Sequence, residues 1–100
     1  MPDEAKRIGG MLFEWDSDKN RSNINKHGIS FEYAARVFFD MNRIERKDLK
    51  HSQVETRYIS IGYVDDMLFV VHTDRKDAIR IISARFAEKN ERSYYYGQFS

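Results

Sequence analysis

The stretch Arg80-Ile81-Ile82-Ser83-Ala84-Arg85 decides how the rest of this chain is read. Before it runs Met67-Leu68-Phe69-Val70-Val71-His72-Thr73, and between the two lies Asp74-Arg75-Lys76-Asp77. Two apolar, β-branched runs around a short charged turn read as a β-hairpin, because branched side chains fit a pleated surface and charged ones a solvated turn. The second strand carries one arginine in its middle and another at its end. A strand that is otherwise apolar keeps an arginine only where it is paired or faces a polar cleft. The hairpin is therefore both the expected centre of the fold and the first place to look for chemistry.

Working outward, Arg57 to Val64 alternates apolar and small or polar residues, and Asp65-Asp66 is expected to be a two-residue turn into the hairpin. Simple pairing through both turns puts Arg57, Ile59, Ile61 and Tyr63 on one face with Leu68, Val70, His72, Ile79, Ile81, Ser83 and Arg85. The other face then carries Tyr58, Ser60, Phe69, Val71, Thr73, Arg80 and Ile82. Arg43 to Lys47 is expected to be a short edge strand, followed by a charged loop, Asp48 to Gln53.

Upstream, Asp16 can cap a polar helix from Ser17 to about Lys26, with Ile24 its plainly apolar residue and Gly28 suited to the left-handed position after it. Ser30 can cap a second helix, Phe31 to about Phe39, whose Phe31, Ala34, Ala35 and Phe38 share a face. Ala87 to Tyr96 reads as a final helix. Residues 1–10 are polar and show no period, so they read as a flexible arm before a single domain over 11–100. The expected class is α+β: two N-terminal helices, a three- to four-stranded antiparallel sheet and a C-terminal helix.

The totals narrow the function classes. Seventeen lysines and arginines stand against sixteen acids, so any basic surface must come from local segregation. The absence of cysteine excludes disulfides, thiol catalysis and thiolate metal sites. His27, His51 and His72 lack a metal-binding spacing, so neither a metal nor another cofactor is expected. No apolar run approaches the roughly 20 residues that span a bilayer, and a soluble cytoplasmic domain without membrane contact is the expectation.

Several short pieces follow one another along the chain: Phe13-Glu14-Trp15-Asp16, Lys19, Asn23, Lys26-His27-Gly28-Ile29-Ser30-Phe31-Glu32, Ala34, Val37-Phe38, Glu55 with Arg57, Ile61-Gly62, His72-Thr73, the Arg80 to Arg85 stretch, and Glu91, Arg92 and Tyr95. In this order they resemble the BrnT family of toxins from type II toxin–antitoxin systems. The resemblance implies a RelE-like ribonuclease fold, an RNA substrate, and inhibition by a small DNA-binding antitoxin of the BrnA type, with a toxin dimer possible inside the complex. Tyr33 departs from the acidic residue that the family often has there.

Metal-free RNA cleavage needs a base for the 2′-hydroxyl, cationic donors for the phosphate and an acid for the leaving oxygen. Arginine suits the second role through its bidentate fork. Arg80, Arg57 and Arg85 are the candidates, against a reading in which each pairs with a carboxylate such as Glu55 or Glu91 and only holds the fold. Glu55 beside Arg57 is either a base next to a clamp or half of a salt bridge. His72 is either a proton shuttle or a buried, hydrogen-bonded histidine. Lys47, Lys50 and His51, with Tyr58 stacking on a base, form a candidate RNA groove or a solvated edge. Two other functions stay open. One is a non-catalytic protein-binding module. The other is a DNA-binding regulator using the two N-terminal helices, against which five acids between Glu14 and Asp40 weigh.

Overall fold

A computed structural model describes residues 3–51 and 53–100. Six strands form one mixed sheet: β1 (Asp3–Ile8), β2 (Met11–Asp16), β3 (Ile44–Lys47), β4 (Tyr58–Tyr63), β5 (Met67–Arg75) and β6 (Ala78–Phe86). Their order across the sheet is β1-β2-β6-β5-β4-β3. The β5–β6 hairpin lies at its centre, as its apolar runs require. Helices α1 (Ser17–His27) and α2 (Phe31–Ala34) follow β2, a 3₁₀ turn covers Ala35–Phe39, and α3 (Lys89–Gly97) closes the described chain. No helix among the described residues is long and apolar enough to cross a membrane.

The α+β class is as expected, but the sheet has more strands than the sequence suggests. Residues 3–8, read above as part of a flexible arm, pair antiparallel with β2 along its whole length. β2 in turn pairs with β6 in parallel, Leu12 to Glu14 against Ala78 to Arg80, which makes the sheet mixed rather than purely antiparallel. The arm shows no hydrophobic period because β1 is an edge strand exposed on nearly all its residues; backbone pairing with β2 holds it, with side-chain bonds from Trp15 to Glu4 and from Arg80 to Asp3, and a charged edge resists further pairing.

Helix α1 was expected to pack through Ile24. Instead Ile24 is exposed and Asn23 is buried. β2 leaves β6 after Glu14, so the edge of β6 beyond Arg80 lacks a strand partner there. Asn23 fills the gap: its amide accepts from the Ala84 N–H at 3.1 Å and donates to the carbonyls of Ala84 at 2.9 Å and Ile29 at 2.8 Å. A polar helix thus docks by hydrogen bonds that a buried backbone edge needs. Asp16 caps it through the N–H groups of Asp18 and Lys19, and Gly28, at φ 72°, closes it with its N–H on the Ile24 carbonyl.

The two faces of the sheet carry separate cores. One packs Phe13, Trp15, Leu68, Val70, Ile81 and Ala84 against Ile29, Phe31, Ala34, Ala35, Val37 and Phe38. Here Gly62 is required: a Cβ would sit 2.8 Å from Val37 Cγ1. The other face packs Ile59, Ile61 and Met67 against Tyr95 of α3. Asp40 ties α3 down, accepting from the Tyr95 hydroxyl and the Tyr63 N–H, both at 2.7 Å. Burial and this bond push the Tyr95 hydroxyl up to about 12.

Two details overturn the expected facing of the strands. Tyr63 pairs with Met67, so the connection is Val64-Asp65-Asp66, one residue longer than the expected turn. A single-residue change reverses every side chain of a strand. Ile59 and Ile61 therefore share a face with Phe69 and Val71, while Tyr58 and Ser60 share one with Val70 and His72. Second, a bulge at Val71/His72 breaks the β5–β6 register: Ser83 pairs with Val71, but Ile81 pairs with His72. The extra residue, Ile82, brings Arg80 onto the same face as Ser83 and Arg85.

Candidate active site

That face is covered by α3 only at one end. At the other end lies the cross-strand row Thr73, Arg80, Glu14, with Thr73 buried and Arg80 and Glu14 partly exposed, fixed by the pairing of Thr73 with Arg80 and of Glu14 with Arg80. Arg57 lies one residue before β4, next to the Tyr58–His72 pair, and its carbonyl accepts from the Asp48 N–H at 2.8 Å. The Thr73 hydroxyl donates to the Thr56 carbonyl at 2.6 Å and so holds the chain entering β4 against β5.

Arg80 is the centre of the row. Its Nη1 donates to Glu14 Oε2 at 2.6 Å and its Nη2 to Asp3 Oδ1 at 3.0 Å. The Arg80 side chain is 15% exposed and that of Glu14 22%, whereas that of Asp3 is 55% exposed. Glu14 is thus a fixed partner, and Asp3 a solvated one on an edge strand. The Asp3 hydrogen bond raises the Arg80 pKa further, against a smaller opposing effect of burial, and Arg80 in turn lowers that of Asp3. The guanidinium is cationic at every pH of interest and carries one carboxylate on each arm of its fork.

The other expected residues divide. Arg85 closes both arms of its fork on Glu91, at 2.9 and 2.8 Å, and lies over the Phe69 ring at 3.9 Å. This is the fold-holding pairing weighed above, and Glu91 also closes a capping box with Glu88 at the start of α3. Glu55 lies in the loop before β4 rather than on a strand, and pairs with Arg75 at 3.2 Å. His72 is 2% exposed and its Nε2 lies 2.8 Å from the Ser60 hydroxyl. Its ring meets Phe38 edge-on at 4.7 Å. Burial, helped by the charge of Arg43, pushes the imidazole down to about 4. His72 is therefore neutral at neutral pH and lies on the face away from Arg80.

The expected RNA groove is not assembled around Arg80. Tyr58 stacks on His72 at 5.9 Å on the covered face. Lys47 ends β3, three strands from β6, which is roughly 14 Å across the sheet. Lys50 and His51 are exposed in the loop beyond it, with His51 Nδ1 3.0 Å from Asp48 Oδ2.

Sequence reasoning passed over Glu14 and Asp3. Glu14 sits in a short extended segment that gave no sign of pairing with β6, and Asp3 in the stretch taken for an arm. The signal was present in the arginine: an interior strand arginine needs a carboxylate, and Glu14 lies in one of the quoted pieces.

The family model for the BrnT ribonuclease toxin of type II toxin–antitoxin systems matches residues 15–91. No curated protein matches the chain. The matched span begins at Trp15, so it takes in the Arg80 face and α1 but neither β1 nor Glu14. On that match over most of its length, the chain belongs to the BrnT family, the ribonuclease toxins of type II toxin–antitoxin systems.

Proposed function

We propose that this toxin is an endoribonuclease that cuts RNA without a metal, by attack of a 2′-hydroxyl on the adjacent phosphate, at the open end of the sheet face that carries Arg80. The observation that carries this reading is the bulge, which turns Arg80 onto the face of Ser83 and Arg85, where it pairs with Thr73 and Glu14. Arg80 grips the scissile phosphate in place of Asp3, and Glu14 keeps its fork oriented. As the 2′-oxygen bonds to phosphorus, its proton passes to a base and the 5′-oxygen leaves with a proton. The products are a 2′,3′-cyclic phosphate and a 5′-hydroxyl. Preorganised donors aimed at the developing charge supply the main rate effect. Glu14, rather than the Arg75-bound Glu55, is the carboxylate beside the clamp and the better-placed base.

The test is cleavage of single-stranded RNA in chelator-containing buffer, with product ends identified. Cyclic phosphate ends are expected. Wild-type protein that leaves RNA intact under these conditions would overturn the reading and favour a non-catalytic binding module.

Membership of a type II system implies an antitoxin partner. We infer a small DNA-binding antitoxin that covers the arginine face and neutralises the toxin. Hydrogen exchange on the complex is expected to show protection over 78–85. Protection confined to α1 and α2 would contradict it.

A further inference from the structure

The open face does not end at Arg80. Beyond it β6 runs on to Ser83, on the same face, and α1 takes the place at the sheet edge that β2 has left. Between α1 and β6 lies a cleft of about 190 Å³, lined by Lys19, Ser22, Lys26 and His27 of α1 and by Ile82 and Ser83 of β6, with Asn23 between them. Asn23 is fully engaged with backbone groups, so it anchors the cleft rather than serving it. Lys19, Lys26 and His27 recur at helical spacing on one side of α1 and are exposed. Among the described residues neither lysine makes an ion pair. The one carboxylate of the helix, Asp18, is turned to Arg21 at 3.1 Å. With three cations against that one acid, α1 alone exceeds the +1 of the whole chain. Charge is segregated here although the total is nearly neutral.

We propose that this cleft is a second phosphate-binding subsite, for the RNA backbone next to the scissile phosphate held at Arg80. Ser83 lies three residue steps along the strand from Arg80, roughly 10 Å, a reach that a short piece of single strand covers. The two lysines act as point charges and the serine hydroxyls as donors to phosphate oxygens. The strand then runs along β6 toward α1, not across β4 toward Lys47 and Lys50. The inference rests on the ribonuclease reading, and extends it from the cut bond to the path of the chain being cut.

The test compares wild type with Lys19→Ala/Lys26→Ala in chelator-containing buffer on two substrates. One is an RNA oligomer long enough to reach both sites and the other a dinucleotide. Both lysines are exposed, so the unfolding midpoint is expected to stay unchanged. For the oligomer, KM should rise and the slope of log kcat/KM against log salt should become shallower by about 1.4, two single-strand phosphate contacts. For the dinucleotide, kcat/KM should stay the same. An oligomer KM and salt slope equal to wild type would overturn the subsite, as would an equal loss on both substrates. If wild type cuts neither substrate, the ribonuclease reading falls and the subsite with it.

Discussion

Replacing Arg80 by alanine has two separable consequences. The first is catalytic. Arg80 is the one interior cation of the central hairpin that faces the open end of the sheet, and a clamp acts on charge that develops in the transition state. Its loss should lower cleavage by roughly 10²–10³. The second is structural. Arg80→Ala removes the partner of Glu14, whose side chain is 22% exposed, and leaves a mostly buried carboxylate to be resolvated. That costs about 1–3 kcal/mol, within the roughly 5–15 kcal/mol that holds such a domain together, so the variant still folds. Asp3, with its side chain 55% exposed, adds little to this cost. Unfolding in urea gives the second effect, and cleavage measured well below the midpoint gives the first. Combining Arg80→Ala with Glu14→Gln should recover part of the stability and none of the activity. Arg80→Lys should recover activity only in part, because a point charge cannot replace the fork. Full activity in folded Arg80→Ala would refute the reasoning. So would activity that returns in the double variant, since the arginine would then be only a brace.

Three further outcomes are expected. The His72 imidazole is held near 4, below its usual 6.5, so the folded state resists a proton that the unfolded chain accepts; stability should be complete above about 6.5 and fall as pH drops toward 4. Unfolding midpoints across that window should decline for wild type and stay flatter for His72→Phe; parallel curves would contradict the burial of a neutral ring. Burial would raise the Asp40 carboxyl, but hydrogen bonds from Tyr95, Tyr63 and Asn42 outweigh it and hold it below its usual value. Its stabilisation is thus present above the ordinary carboxylate range and lost as pH falls through the depressed value. Asp40→Ala should cost about 1–3 kcal/mol at neutral pH and flatten the acid limb of the stability curve; an unaltered acid limb would show that α3 is held by other contacts. Phe38, 5% exposed and 5.4 Å from the Phe13 ring, should cost on the order of 3–5 kcal/mol when cut to alanine, and a loss below about 1 kcal/mol in chemical unfolding would place it outside the core.

Much of this architecture was written in local pattern. The β5–β6 hairpin, the capped α1, the core face of Phe31, Ala34, Ala35 and Phe38, and the close of α1 at Gly28 all follow from periods and from backbone geometry that few residues allow. The family was legible in the order of short pieces, which the match over 15–91 bears out. What only the tertiary structure decided were pairings between distant segments. β1 reads as an arm because an exposed edge strand needs no apolar period; its partner, β2, holds it chiefly through the backbone ladder. The bulge at Val71/His72 has no composition signal, yet it turns Arg80 onto the face of Ser83 and Arg85. The longer connection at Val64-Asp65-Asp66 reverses β4 and moves Tyr58 away from the arginines. Each strand position alternates between two faces, so one inserted residue changes which side chains meet. The sequence by itself therefore determined the elements and the charged residues that matter. Register, which depends on how the whole sheet packs, decided which of those residues stand together.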